Sequence, residues 1–156
     1  MKPNISQLLV KRYFVTDLLV QANKSFDESA AMNLGFESLQ IESNIATPEH
    51  DGEDWEVALR LFYQGSEKVN SPYFFRVEVV GFFNVADSYP KQNAEWLIRT
   101  NAPSVLYSTA REALRSAMAS GPFKALLLPA VSFYTDELKA MINERSHGVM
   151  KDRVKD

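Results

Sequence analysis

Alternating apolar and polar residues predict four β-strands in the first half of the chain. The clearest is Trp55–Tyr63, in which Glu56 and Arg60 alternate with apolar side chains. The same reasoning predicts three further strands, at residues 11–21, 37–45 and 73–83. Short connections join the last three predicted strands, so we expect them to be antiparallel neighbours in one sheet.

The first predicted strand is apolar on both of its faces. One face carries Tyr13, Val15 and Leu19, and the other carries Phe14, Leu18 and Val20. A strand of this kind is either central in a sheet or lies at an interface. Residues 24–34 then lose strand character, and we expect them to form a loop that crosses the sheet.

The periodicity changes from strand to helix after residue 92. Proline does not fit a helix interior without a break or a kink, so Pro103 predicts a short helix that ends near Thr100 and a longer one that begins at Ser104. Gly121 and Pro122 predict its end. A last helix is predicted over residues 133–146, and we expect the charged tail, residues 148–156, to be flexible.

Length and composition place the chain among ordinary globular proteins. Its 156 residues predict a single domain spanning 1–156, and 46% of them are hydrophobic. There is no cysteine, which fits a reducing compartment, and residues 1–10 lack the apolar run of a signal peptide. We therefore expect a cytoplasmic protein that does not insert into membranes.

Charge and chemistry exclude several function classes. Residues 26–56 contain acidic side chains and no lysine or arginine, so this region repels nucleic acid. The two histidines, His50 and His147, have no partner at metal-ligand spacing, and no catalytic or nucleotide-binding motif occurs. We expect neither an enzyme nor a bound metal or cofactor.

The segment from Ala102 to Tyr134 carries the most specific signal. It reads APSVLYSTAREALRSAMASGPF, followed shortly by LLLPAVSFY. This pattern resembles the SecB family of export chaperones. The positions that carry the resemblance are Pro103, Leu106, Tyr107, Ala110, Arg111, Glu112, Gly121 and Phe123, then Leu127, Pro129, Val131 and Phe133.

The resemblance implies an α+β fold with a four-stranded antiparallel sheet, a long kinked helix and a C-terminal helix. It also implies a homotetramer, a dimer of dimers with the long helices at the interface. The interface residues would be Leu106, Ala110, Arg111, Ala113, Leu114, Ala117 and Met118. Small alanine side chains in this stripe permit close approach of helices.

Members of the family hold unfolded polypeptides without ATP, in apolar grooves beneath the crossover loop and beside the last helix. The resemblance therefore implies an ATP-independent chaperone whose clients are unfolded preproteins. The groove candidates in this chain are Phe26, Leu34, Phe36, Tyr134, Leu138, Met141 and Ile142. An aromatic groove of this kind buries apolar side chains of a client without requiring one sequence.

Two acidic positions correspond to the family's docking site for the zinc-binding tail of the SecA motor. They are Asp17 and Glu78, but Gln21 and Arg76 depart from the family pattern beside them. This departure keeps two alternatives open. The first is a SecB-like chaperone dedicated to one client, such as the antitoxin of a toxin–antitoxin pair. The second is a binding module for a small apolar ligand that is not a chaperone.

Overall fold

The computed structural model describes residues 6–66, 68–136, 139–140 and 143 of the 156-residue chain. Its sheet has four antiparallel strands in the spatial order β1-β4-β3-β2. The strands are β1 (Leu8–Ala22), β2 (Gln40–Ala46), β3 (Trp55–Tyr63) and β4 (Tyr73–Val85), and the helix α1 (Ala94–Ala119) follows them. The predicted α+β class, a four-stranded antiparallel sheet followed by a long helix, is confirmed.

The core lies between α1 and one face of the two central strands, which we call the helix face; the opposite face is the outer face. Val57, Leu59 and Leu61 of β3 are fully buried there, as are Val77 and Val79 of β4. From α1, the fully buried side chains are Ile98, Ala102, Leu106, Ala110, Leu114 and Met118. Their spacing of three and four residues places them on one side of the helix.

The helix runs without a break through Pro103, which corrects the predicted division into two helices. Proline costs a helix interior about 3 kcal/mol, because it lacks an N–H donor and crowds the preceding turn. Burial on both sides of it outweighs that cost, since Ala102 and Leu106 are each fully shielded from solvent. Two residues before Pro103, the Asn101 side chain donates a hydrogen bond to the Leu97 carbonyl (3.0 Å).

A buried tyrosine at the start of β4 fixes the chain just beyond α1. The Tyr73 hydroxyl donates to the Phe123 carbonyl (2.7 Å) and accepts the Phe123 N–H (2.9 Å). A Cβ at Gly121 would lie 2.3 Å from that hydroxyl, so only glycine permits this close approach. Residues 124–135 then run without regular secondary structure.

The last helix begins later than predicted. Residues 133–135 are not helical, whereas Asp136, Lys139, Ala140 and Asn143 are, and the Lys139 N–H donates to the Thr135 carbonyl (3.0 Å). The flexible tail predicted at 148–156 lies outside the described residues.

The connection from β1 to β2 must cross the whole sheet, because these two strands form its opposite edges. Residues 23–35 make this crossing and form the crossover loop. Gly35 ends it in a left-handed conformation (φ 50°), in which a Cβ would lie 2.9 Å from the Val69 side chain. A single turn of 3-10 helix, Phe36–Ser38, follows, so β2 begins at Gln40 rather than at residue 37 as predicted.

Asparagine side chains hold the crossover loop against the turn between β3 and β4. The Asn70 side chain accepts the Asp27 N–H (3.0 Å) and donates to the carbonyls of Asp27 (3.0 Å) and Ala31 (3.2 Å). Asn33 donates to the Lys68 carbonyl (3.1 Å), and its backbone N–H bonds to the Asn70 carbonyl (3.2 Å). The loop is therefore fixed by polar contacts at several points along its length.

Replacing Asn70 by alanine should loosen the crossover loop and leave the core intact. The change removes all three hydrogen bonds that its side chain makes to the loop. Each such bond contributes about 0.5–1.5 kcal/mol, and about 1.4 kcal/mol corresponds to a tenfold change in an equilibrium. Hydrogen exchange of the amides at 23–35 should accelerate about tenfold or more, and the free energy of global unfolding should fall by a similar amount, about 1–2 kcal/mol, because the native loop loses these bonds in both equilibria.

Asn84→Ala provides the matched control, because the Asn84 side chain binds the turn between β2 and β3 instead. Equal exchange at residues 23–35 in both variants would contradict the role assigned to Asn70.

Candidate functional site

The crossover loop brings apolar side chains together at one end of the sheet. Phe26 packs edge-on against Phe123 (ring centroids 5.1 Å apart), and Phe36 lies 6.1 Å from the Tyr63 ring. The Tyr63 hydroxyl donates a hydrogen bond to the Leu34 carbonyl. Three of the predicted groove residues therefore lie at this end of the sheet, on or next to the crossover loop. Together with Met32, they form what we call the crossover patch: Phe26, Met32, Leu34 and Phe36.

The crossover patch is neither core nor free surface. Phe26, Leu34 and Phe36 are half-buried, and Met32 is 51% exposed. The sequence reasoning missed Met32, although its position between Phe26 and Leu34 in the crossing loop was a usable signal. Each side chain thus keeps apolar area available for a partner, while Phe26 is held against Phe123, Leu34 against the core and Phe36 against Tyr63.

Aromatic residues of the sheet support the patch from below. Tyr63 lies 5.2 Å from Phe75 and 6.2 Å from Phe74, measured between ring centroids. A Cβ at Gly65 would lie 2.0 Å from the Phe74 ring, so only glycine at position 65 lets the turn pack this closely against that ring. Burial raises the pKa of the Tyr63 phenol, which keeps the hydroxyl protonated as the donor to Leu34.

Tyr134, a further predicted groove residue, lies away from the crossover patch, near the middle of α1. Phe133 beside it packs edge-on against Tyr107 (6.0 Å), whose hydroxyl donates to the Pro129 carbonyl (2.7 Å). Tyr107 lies about 18 Å along the helix from the end of α1 at Ala119, whereas Phe26 packs beyond that end. Tyr134 itself is 42% exposed, with the Lys139 ammonium 5.4 Å from its ring. The other predicted groove residues, Leu138, Met141 and Ile142, lie outside the described residues.

The two predicted docking acids lie on the outer face, and each is paired with an arginine. Asp17 of β1 binds the Arg76 guanidinium, and Glu78 of β4 binds that of Arg60. Thr16 also donates to a Glu78 carboxylate oxygen (2.7 Å). These charges line a shallow cavity of about 430 Å³ together with Gln40, Glu42 and Phe62.

Strand register explains this pattern of pairing. Glu42 lies opposite Arg60, and Arg60 lies opposite Glu78, so charges of opposite sign face each other across β2, β3 and β4. The hydrogen bond from Arg76 lowers the pKa of Asp17, and hydrogen bonds from Thr16 and then Arg60 lower that of Glu78. Both acids stay ionised at neutral pH, but their charge is compensated.

The stripe predicted as an oligomer interface is largely the core of this chain. Leu106, Ala110, Leu114 and Met118 are fully buried under the chain's own sheet, which corrects their assignment to an interface. The remaining members, Arg111, Ala113 and Ala117, are half-buried. Periodicity identifies an apolar helix face but does not say which surface covers it.

Two other kinds of feature are absent from the part of the chain that the structure describes. None of its helices has the length and apolar character needed to cross a membrane. Nor does any group of three or more His, Asp or Glu side chains there come together as a metal site.

Comparison with known proteins assigns the family. Residues 2–139 match the family model described as preprotein translocase subunit SecB. The protein-export protein SecB of Legionella pneumophila (strain Corby) is 24% identical over 129 residues, covering 82% of this chain and 77% of the relative. The SecB of Pseudomonas putida (strain KT2440) is 27% identical over 148 residues, covering 88% of this chain and 86% of the relative.

A solved structure matches the fold. It is the SecB-like chaperone of Mycobacterium tuberculosis in complex with a peptide from the HigA1 antitoxin. The TM-score is 0.55 at 12% identity, and the match covers 81% of this chain and 91% of that one. The architecture and the family model agree, and this chain belongs to the SecB family.

Proposed function

We propose that this chain is an ATP-independent chaperone that holds unfolded polypeptides, chiefly preproteins on their way to export. The crossover patch carries the proposal, because it offers half-buried aromatic and aliphatic side chains on a loop fixed by hydrogen bonds. An unfolded client supplies apolar side chains that gain about 25 cal/mol for each Å² removed from water. Such burial is non-directional, so it accepts many client sequences.

Charge around the patch suits the same task. Asp27, Glu28 and Glu37 are exposed beside it, and residues 26–56 contain no lysine or arginine. An acidic surround attracts basic client segments over a distance of about one Debye length, roughly 8 Å at physiological salt. We place this activity in the cytoplasm, where it needs neither catalysis nor a cofactor.

The proposed assembly is a homotetramer, a dimer of dimers. Arg111, Ala113 and Ala117 remain candidates for contacts between α1 helices, because their side chains are only half-buried within the chain. Tyr134 remains a candidate for client binding on a separate surface, near Tyr107 of α1 and Lys139.

A dedicated chaperone with a single client, such as an antitoxin, is the second candidate. The arginines that pair with Asp17 and Glu78 favour it, because they compensate the acidic charge that a basic SecA tail would bind. The two candidates differ in the range of clients that they bind. Binding to several unrelated preproteins would support the export chaperone, and binding to one protein alone would support the dedicated chaperone.

The holdase activity should depend on the exposed apolar side chains. Met32→Ser and Tyr134→Ser each remove half-exposed apolar area, so we expect each to weaken binding of a reduced, unfolded model protein about threefold to tenfold. Fluorescence anisotropy without nucleotide measures the affinity, and light scattering measures suppression of aggregation. Phe26 and Phe36 are less suitable, because they also pack against Phe123 and Tyr63.

Leu127→Ser is the matched control, since Leu127 is 77% exposed beside α1 and outside both proposed client surfaces; it lines a cavity with Arg111, so light scattering must also show unchanged assembly. Failure of the unaltered chain to suppress aggregation would refute the holdase, and an apolar molecule co-purified with it would favour a small-ligand module. Equal weakening by Leu127→Ser would contradict the location of the site.

Arg76→Leu should strengthen docking of the zinc-loaded SecA tail. It removes a cation and frees the Asp17 carboxylate for a basic partner. For exposed charges we expect a gain of about twofold to fivefold, smaller at high salt. In the variant the pKa of Asp17 should rise towards its ordinary value, because the guanidinium holds it down in the native chain and the pair is lost as pH falls through that lowered pKa.

Calorimetric titration measures the affinity, and Arg115→Leu, on the exposed side of α1, is the control. If Arg76→Leu leaves SecA binding unchanged while Asp17→Lys and Glu78→Lys also have no effect, the docking site lies elsewhere.

A further inference from the structure

The Phe26 ring rests on a fixed aromatic surface just beyond α1. It packs edge-on against Phe123 at 5.1 Å between centroids, and the Phe123 ring packs edge-on against Tyr73 at 5.9 Å. The N–H and the carbonyl of Phe123 both bond to the Tyr73 hydroxyl (2.9 and 2.7 Å), and Tyr73 is buried. We call the rings of Phe123 and Tyr73 the aromatic seat. Because the hydroxyl fixes the backbone of Phe123, the seat keeps its shape when the Phe26 ring leaves it.

The backbone is held on both sides of Phe26, so its ring is the part that can move. Before it, Asn23 donates from its backbone and from its side chain to the two carbonyls that precede β4, each at 2.8 Å. After it, Asp27 is bonded to the Asn70 side chain. Side chains that are open to solvent change rotamer within picoseconds to nanoseconds. Departure of the ring from the seat therefore needs no opening of the crossover loop.

Phe26 is the one side chain of segment 24–31 that is not exposed. Lys24, Ser25 and residues 27–31 are open to solvent, whereas Phe26 is half-buried. Its ring meets the aromatic seat on one side and water on the other. A half-buried ring gains only part of the free energy of full burial, because that energy follows the apolar area removed from water. Another ring can therefore replace it with a small change in free energy.

An unfolded client carries the group that could replace it. Its aromatic side chains are accessible, whereas a folded protein buries much of the area of such residues. A client ring packed edge-on against Phe123 makes the contact that Phe26 makes, and the client's neighbouring residues bury further area on the crossover patch. Occupation of the seat by the chain's own ring lowers the apparent affinity for the client by the fraction of molecules whose seat is vacant.

We propose that Phe26 competes with clients for the aromatic seat: at rest its ring covers Phe123, and a client binds by placing an aromatic side chain there as the Phe26 ring turns away. This inference rests on the proposed binding of unfolded polypeptides and adds a contact that limits it. A polypeptide without an accessible ring does not displace Phe26. The loop backbone stays bonded to Asn70 throughout, so the crossover patch remains in place beside the client.

Removal of the competing ring should speed client binding. In Phe26→Ala the seat is vacant in every molecule, so the association rate with a reduced, unfolded model protein should rise about threefold to tenfold. Stopped-flow fluorescence without nucleotide measures this rate, and thermal unfolding checks that the variant folds.

Phe36→Ala is the matched control, because it removes another half-buried ring of the crossover patch, one that lies against Tyr63 instead of the seat. It should not accelerate association. Equal acceleration by Phe26→Ala and Phe36→Ala would overturn the inference, because the effect would then not be specific to the seat.

A change in the seat itself locates the competition. Phe123→Leu keeps an apolar side chain and both backbone bonds to the Tyr73 hydroxyl, but it removes the ring that Phe26 covers. In this background, the further change Phe26→Ala should alter the association rate by less than about twofold, because the two residues act as one coupled pair. The same acceleration with and without the Phe123 ring would show that Phe26 acts elsewhere.

The outcomes separate this inference from the proposed function. If the unaltered chain binds the unfolded protein and Phe26→Ala associates no faster, the competition is refuted and the chaperone stands. If neither chain binds the unfolded protein, both the proposed function and the competition are refuted.

Discussion

A single helix cannot cover a four-stranded sheet, and this limit shapes the rest of the molecule. A helix with its side chains is about 10–12 Å wide, whereas neighbouring strands lie about 4.8 Å apart, so α1 shields little more than two strands. It packs chiefly on β4 and reaches both neighbouring strands, and the helix-face residues Leu59 of β3 and Val79 of β4 are fully buried. The middle of the helix face of β1 stays open to solvent: Tyr13 is 49% and Leu18 42% exposed. The apolar area left uncovered is then available for a second copy and for clients.

The two proposed binding surfaces, the crossover patch and the outer face, are organised by different forces. The crossover patch is kept in position by polar bonds, chiefly from Asn70, while aromatic contacts to Tyr63 and Phe123 hold its inner side. The outer face is organised by opposite charges across the strands, so Asp17 and Glu78 are each compensated. The patch is apolar and imposes little sequence preference, and the outer face carries little net charge. Both properties suit a chaperone that recognises the unfolded state of its clients and not a particular sequence.

The sequence predicted regular elements well wherever one face alone was buried. Strand β3 has the predicted bounds because its alternation is uninterrupted. The predicted break in the helix at Pro103 was wrong, because the burial of Ala102 and Leu106 outweighs the local free-energy cost of proline. The alanine-rich stripe was assigned to an interface because periodicity does not identify the covering surface. Of the candidate site, the sequence named Phe26, Leu34 and Phe36, whose role in client binding stays a prediction, whereas the arginine partners of Asp17 and Glu78 required the register.

The central claim is that unfolded polypeptide binds at the crossover patch. Hydrogen exchange of the backbone amides, with and without a saturating reduced and unfolded model protein, tests it most directly. The account predicts slower exchange at residues 23–36 in the complex, and no change in the turn between β2 and β3 at residues 47–54. A stable complex in which residues 23–36 exchange as fast as in the free chain would contradict it.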